Sequence, residues 1–133
     1  MAKNLSLKLN SNLNELDRID KFVSEIGSVV GIEGDLRHHI MLVLTEAVTN
    51  AILHGNKESK SKFVVLEANI TTRRLILSVQ DEGDGFDPES IPSPIKKENL
   101  LKSSGRGIWL IHEFADNVSF SDRGRKITIE FTL

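Results

Sequence analysis

The order of hydrophobic periods along the chain constrains the fold most. Residues 63–70 and 75–80 are two runs of β-branched and apolar residues, close enough in sequence to form an antiparallel pair. Leu5, Leu7 and Leu9 alternate with Ser6, Lys8 and Asn10, which reads as a half-buried first strand. Residues 117–121, then Ile127, Ile129, Phe131 and Leu133 alternating with polar residues, read as a closing hairpin turned at Gly124. Helical spacing takes over between these strands. Cap-type residues at 11–14 precede Leu16, Ile19, Phe22, Val23 and Ile26, with Gly27, Gly31 and Gly34 marking the exit. A second helix from about Asp35 carries Leu36, Ile40, Val43, Leu44, Ala47 and Ala51 on one face and ends near Gly55. A short third helix is expected over 108–115. Strands therefore come as neighbouring pairs and do not alternate strictly with helices. That order predicts an α+β fold, a two-layer α/β sandwich whose mainly antiparallel mixed sheet carries its helices on one face.

With 133 residues, the chain has room for one domain with a real core, spanning 1–133. Its 39% hydrophobic and 27% charged residues are those of an ordinary globular protein. A net charge of −2 leaves no electrostatic footprint for nucleic acid or an anionic membrane. The absence of cysteine excludes disulfides and thiolate metal sites and fits a reducing compartment. Neither a signal-peptide pattern nor an apolar run long enough for a bilayer occurs, so the cytoplasm is the expected location. Residues 88–104 lose all periodicity, hold the three prolines and read as a surface loop.

Three short segments carry candidate chemistry. Glu46 and Asn50 lie four residues apart and project from one face of the second helix, at the edge of its apolar stripe. They read as a solvated helix edge, or as a carboxylate able to take a proton beside a neutral oxygen suited to Mg²⁺. Asp81-Glu82-Gly83-Asp84-Gly85-Phe86 follows a strand, where two glycines let the backbone bend and approach a ligand; it also reads as a simple turn. Gly105-Arg106-Gly107 opens the third helix, where backbone N–H groups favour phosphate, or it is only a loop exit. The four histidines lack metal-ligand spacing, and Ser103 and Ser104 have no triad partners around them.

Taken together and in this order, the segments resemble a known family. Glu46-Ala47-Val48-Thr49-Asn50-Ala51-Ile52-Leu53-His54-Gly55 resembles the N box of the GHKL (Bergerat) ATPase superfamily. The segment from Asp81 looks like its first glycine box, and Gly105-Arg106-Gly107-Ile108-Trp109-Leu110-Ile111 like its second. His54-Gly55-Asn56, Gly85-Phe86-Asp87-Pro88 and a short lid are similar to the anti-sigma-factor serine/threonine protein kinases within it. The resemblance implies ATP and Mg²⁺ as cofactors. Asn50 would ligate Mg²⁺, and Asp81 would accept a hydrogen bond from the adenine amino group. Gly83 and Gly85 would let base and ribose lie against the loop, and residues 88–104 would form the lid. Gly105, Arg106 and Gly107 would donate to the phosphates. Glu46 would be the catalytic base for a serine hydroxyl.

The function so implied is an ATP-dependent protein serine kinase and anti-sigma factor. It would bind a sigma factor and phosphorylate a STAS-domain antagonist in trans. A non-catalytic ATP-binding regulatory module and a detached histidine-kinase-type catalytic domain are the alternatives, and the sequence does not decide between a monomer and a homodimer. One position departs from the family, which commonly places Thr after the glycine that begins its last strand. Here Gly124 is followed by Arg125 and Lys126.

Overall fold

The computed structural model describes residues 2–85 and 103–133, with backbone alone over 103–106. The lid expected over 88–104 and the Phe86-Asp87-Pro88 part of the first glycine box lie outside the described residues, apart from the backbone of Ser103 and Ser104.

Among the described residues, five strands and three helices follow one another. The strands are β1 (Lys3–Asn10), β2 (Phe63–Ile70), β3 (Arg74–Gln80), β4 (Asn117–Ser121) and β5 (Lys126–Thr132); the helices are α1 (Asp17–Val30), α2 (Gly34–Asn50) and α3 (Ser103–Phe114). The sheet order is β1-β2-β3-β5-β4, and all four pairings are antiparallel. The α+β expectation holds, with no parallel pair among the described residues.

Period-two alternation makes the sheet one-sided. Val64, Leu66, Ala68 and Ile70 of β2, Leu75, Leu77 and Val79 of β3, and Ile127, Ile129 and Phe131 of β5 are all buried on the face beneath the helices. Their register places Leu66 opposite Val79 and Leu77 opposite Ile129, so apolar partners meet across each seam. Edge strand β1 keeps only Leu9 fully buried; Leu5 and Leu7 are half-covered.

The helices answer with stripes at a spacing of three and four. In α1 the buried residues are Ile19, Phe22, Val23 and Ile26; in α2 they are Ile40, Val43, Leu44, Ala47 and Val48. Asn12 accepts from the Asn14 N–H at 2.8 Å and starts the 3-10 turn Leu13–Leu16 that leads into α1. Gly31 ends α1 at a left-handed φ of 62°, returning its N–H to the Gly27 carbonyl. Gly27 is therefore inside the helix and is not its exit. Central helix α2 packs against both α1 and α3, and His39 stacks on Phe114 with ring centroids 4.4 Å apart. Among the described residues, no helix is long and apolar enough to cross a membrane.

Two local features differ from the sequence reading. The second helix does reach Gly55, but its final turn, Ala51–Gly55, is π-helical, with the Asn56 N–H bonded to the Ala51 carbonyl at 2.8 Å. The third helix begins at Ser103, five residues ahead of its first apolar residue at Ile108, so Gly105, Arg106 and Gly107 lie within its opening turns. A polar, glycine-containing first turn carries no apolar period, which is why the periodicity placed its start too late.

Candidate nucleotide site

The three sequence segments converge above the open end of the sheet. Glu46 and Asn50, one turn apart on α2, are both half-buried. Opposite them comes the backbone of α3 at Gly107. A Cβ at Gly107 would lie 2.7 Å from Glu46 Oε2 and 3.2 Å from Asn50 Nδ2. Only glycine lets α3 approach the two polar side chains this closely. That proximity joins the N box and second glycine box into one corner.

The π turn shapes the adjoining wall. It brings Gly55 against the loop after β3, where a Cβ on Gly55 would overlap the Asp81 carboxylate and one on Gly83 would overlap the Gly55 carbonyl. Widened final turns of this kind are frequent at functional sites. Asp81 is held at both ends. Its N–H donates to the Arg125 carbonyl at 2.9 Å, and its Oδ1 accepts from the Gly83 N–H at 2.8 Å. Burial pushes the Asp81 carboxyl above its ordinary range. The Gly83 N–H, Arg125 and Lys62 pull it back, and Asp122 adds to the rise. Gly85 completes the bend at a φ of 80°.

Between these walls lies a cleft of about 430 Å³. Ala47, Ala51, Val79, Ile108, Ile111 and Ile127 give it an apolar floor, and Asn50, Asp81, Asp84 and Arg125 supply its polar edge. A mostly apolar hollow with a few directed polar groups is the usual form of a small-molecule site. Asn50, Asp81 and Gly85 line it directly. Glu46 and Gly107 do not; they meet each other beside Asn50. Gly83 is buried one layer behind, against Gly55. The backbone of Gly105 and Arg106 sits in the first turn of α3, and the Arg106 side chain lies outside what is described.

Reasoning from sequence missed the residues that fix the acidic loop. Asn56 is only 1% exposed. Its Nδ2 donates to Ser11 Oγ at 2.9 Å and to the Phe63 carbonyl at 3.0 Å, and its Oδ1 accepts from the Glu82 N–H at 2.7 Å. Glu82, read from sequence as a turn residue, accepts the Phe63 N–H through its own carboxylate. Arg125 holds the other side. Its Nε donates to the Gly83 carbonyl at 2.7 Å, and an Nη donates to the Asp84 carbonyl at 3.3 Å. Asn directly after the helix-ending glycine was the one visible signal, and nothing local separates a buried Asn from an exposed one.

A neutral Asn50 oxygen beside a carboxylate suits a hard cation that keeps several waters, as Mg²⁺ does. The close approach that Gly107 permits is the matching observation, since a Cβ there would press on the very Glu46 and Asn50 atoms that would face the cation. Among the described residues, no group of three or more His, Asp or Glu side chains converges as a metal cage would.

The sequence matches the histidine kinase-like ATPase domain over residues 9–131. It is similar to the anti-sigma F factor of Clostridium perfringens, 34% identical over 96 residues that cover 68% of this chain and 69% of that protein. It is also similar to the serine-protein kinase RsbW of Staphylococcus aureus, 27% identical over an alignment of 136 residues covering 96% and 84% of the two chains. The fold, the three convergent segments and a match across nearly the whole length agree: this chain belongs to the histidine kinase-like ATPase domain family and is an ATP-binding protein.

Proposed function

We propose that the chain is an ATP-dependent protein serine kinase and anti-sigma factor. It binds a sigma factor and phosphorylates a STAS-domain antagonist, which makes it a partner switch in the cytoplasm. The observation that carries this reading is the corner where Glu46, Asn50 and Gly107 meet at one end of a cleft whose wall is Asp81. The similarity to an anti-sigma F factor and a serine-protein kinase supports it.

In this reading, the Asp81 carboxylate accepts from the adenine amino group, and Gly85 leaves room for the ribose. Gly83 contributes by letting the loop close on Gly55. Asn50 Oδ1 would hold Mg²⁺, which would neutralise charge on the phosphate oxygens. The first-turn N–H groups of α3, with Gly105 and Arg106 among them, donate to the same phosphates. Glu46 accepts the proton of the substrate serine hydroxyl as its oxygen bonds to the γ-phosphorus, and ADP leaves with the electrons of the broken P–O bond.

The position of Glu46 outside the cleft lining favours one rival, a non-catalytic module in which ATP only sets partner affinity. Incubating the protein with γ-labelled ATP, Mg²⁺ and a candidate STAS-domain antagonist separates the readings. Acid-stable serine phosphate on the antagonist is expected, with Glu46→Gln binding ATP as the wild type does and transferring at least about a hundredfold more slowly. ATP binding without transfer would establish the rival. Acid-labile phosphate would point to a histidine acceptor.

A further inference from the structure

Arg125 occupies the place where the resembled family commonly has Thr, and no role so far described requires an arginine there. The structure nevertheless ties it to the acidic loop through both its backbone and its side chain. It follows Gly124, which turns the chain into β5 at a φ of 83°. Its backbone carbonyl takes the Asp81 N–H, extending the β3–β5 ladder past the end of β3. Its side chain then folds back over the same loop. Nε reaches the Gly83 carbonyl at 2.7 Å and an Nη reaches the Asp84 carbonyl at 3.3 Å, while the other Nη lies 3.5 Å from Asp122 Oδ1. One planar guanidinium thus holds two successive carbonyls, a geometry that a lysine ammonium cannot reproduce.

The opposite flank of the loop is already fixed. The Glu82 N–H is bonded to buried Asn56, and the Glu82 side chain to the Phe63 N–H. With Arg125 added, Asp81, Gly83 and Asp84 each have a backbone group tied to Arg125, and Glu82 has one tied to Asn56. Arg125 also lines the cleft, as Asp81 does. A wall held this way meets its ligand already ordered, so less conformational freedom is lost on binding.

We propose that Arg125 is a positioning residue. It clamps the Gly83–Asp84 carbonyls from β5, fixes where Asp81 presents its carboxylate, and so sets how strongly the site prefers adenine over guanine. The inference rests on the ATP-binding reading of the cleft. It assigns to this chain a device based on a charged fork at a position where a small hydroxyl is common.

The test compares wild type with Arg125→Met, Arg125→Lys and Arg125→Thr, using calorimetric titration with ATP and with GTP and, on ligand-free protein, hydrogen exchange of the amides over 81–85. Losing bonds donated by a charged group is expected to weaken ATP binding about tenfold in Arg125→Met. The ATP-to-GTP preference should shrink alongside, and loop exchange should rise about tenfold. Arg125→Lys should recover little of either, because it keeps the charge but not the fork. Arg125→Thr should behave like Met. A residue that only stabilised the hairpin would lower the melting temperature and leave the nucleotide preference unchanged. Unaltered preference and unaltered loop exchange in Arg125→Met would overturn the inference. A wild-type protein that bound no ATP would instead overturn the functional reading, and the ligand-free exchange would still report whether Arg125 holds the loop.

Discussion

Replacing Asn56 with alanine isolates what holds the nucleotide wall in place. The side chain is 1% exposed and makes three hydrogen bonds, two donated to Ser11 and Phe63 and one accepted from Glu82. Truncation leaves the Glu82 N–H and the Phe63 carbonyl without these partners. Ser11 Oγ retains its bond to the Lys62 carbonyl at 2.6 Å. An orphaned buried backbone group costs about 1–3 kcal/mol, and water entering the small void recovers part of the second loss. The sum is about 3 kcal/mol, a large share of the about 5–15 kcal/mol by which a domain is stable. In a chain of this length that corresponds to a fall in Tm of about 10 °C. Urea titration followed by circular dichroism measures it, the slope serving to check that the unfolded state is unchanged. Ser11→Ala and the double variant complete a cycle. Because the two residues share a hydrogen bond, their combined cost should fall short of the sum by about 1 kcal/mol. A loss below about 1 kcal/mol for Asn56→Ala, with additive energies, would mean that the network does not anchor the loop.

Two further outcomes are expected. Gly107→Ala places a Cβ 2.7 Å from the flexible end of Glu46 and should displace that carboxylate without straining the backbone. Alanine's helix preference, up to about 1 kcal/mol over glycine, should keep thermal stability level or raise it. ATP affinity and transfer should nevertheless fall about tenfold, and a variant as active as wild type would remove the significance of that corner. Asp81→Asn should retain the fold and lose ATP binding in calorimetry. Burial raises the Asp81 carboxyl in the folded state, against Arg125 and Lys62 and together with Asp122. Its contribution to stability is therefore fully present below the unfolded value and fades as pH rises through the raised folded value. Across that window apo stability should decline while ATP affinity strengthens, because the ionised carboxylate is the better acceptor. The Asn variant should show neither slope, and identical pH profiles would refute the link.

Much of the fold was legible because its signals are local. β2 spans Phe63–Ile70, the very run that the β-branched residues marked out, and most residues that the helical spacing selected are buried, Leu16 and Leu36 being only half-covered. Among the site residues, Asn50, Asp81 and Gly85 were readable from residue type and order, and each lines the cleft. Glu46 was also singled out, yet its place beside Gly107 and outside the cleft lining depends on how closely α3 approaches α2.

The sequence by itself determined the periods, the turns and the three chemical segments, since each depends on residues within a turn or two of one another. Tertiary structure alone decided what fixes those segments in relation to each other. Asn56 reaches Ser11 across 45 positions and Glu82 across 26, and Arg125 reaches Gly83 across 42. No periodicity encodes such bonds. An exposed and a buried asparagine, or a free and a clamping arginine, look the same along the chain until burial makes the partner obligatory.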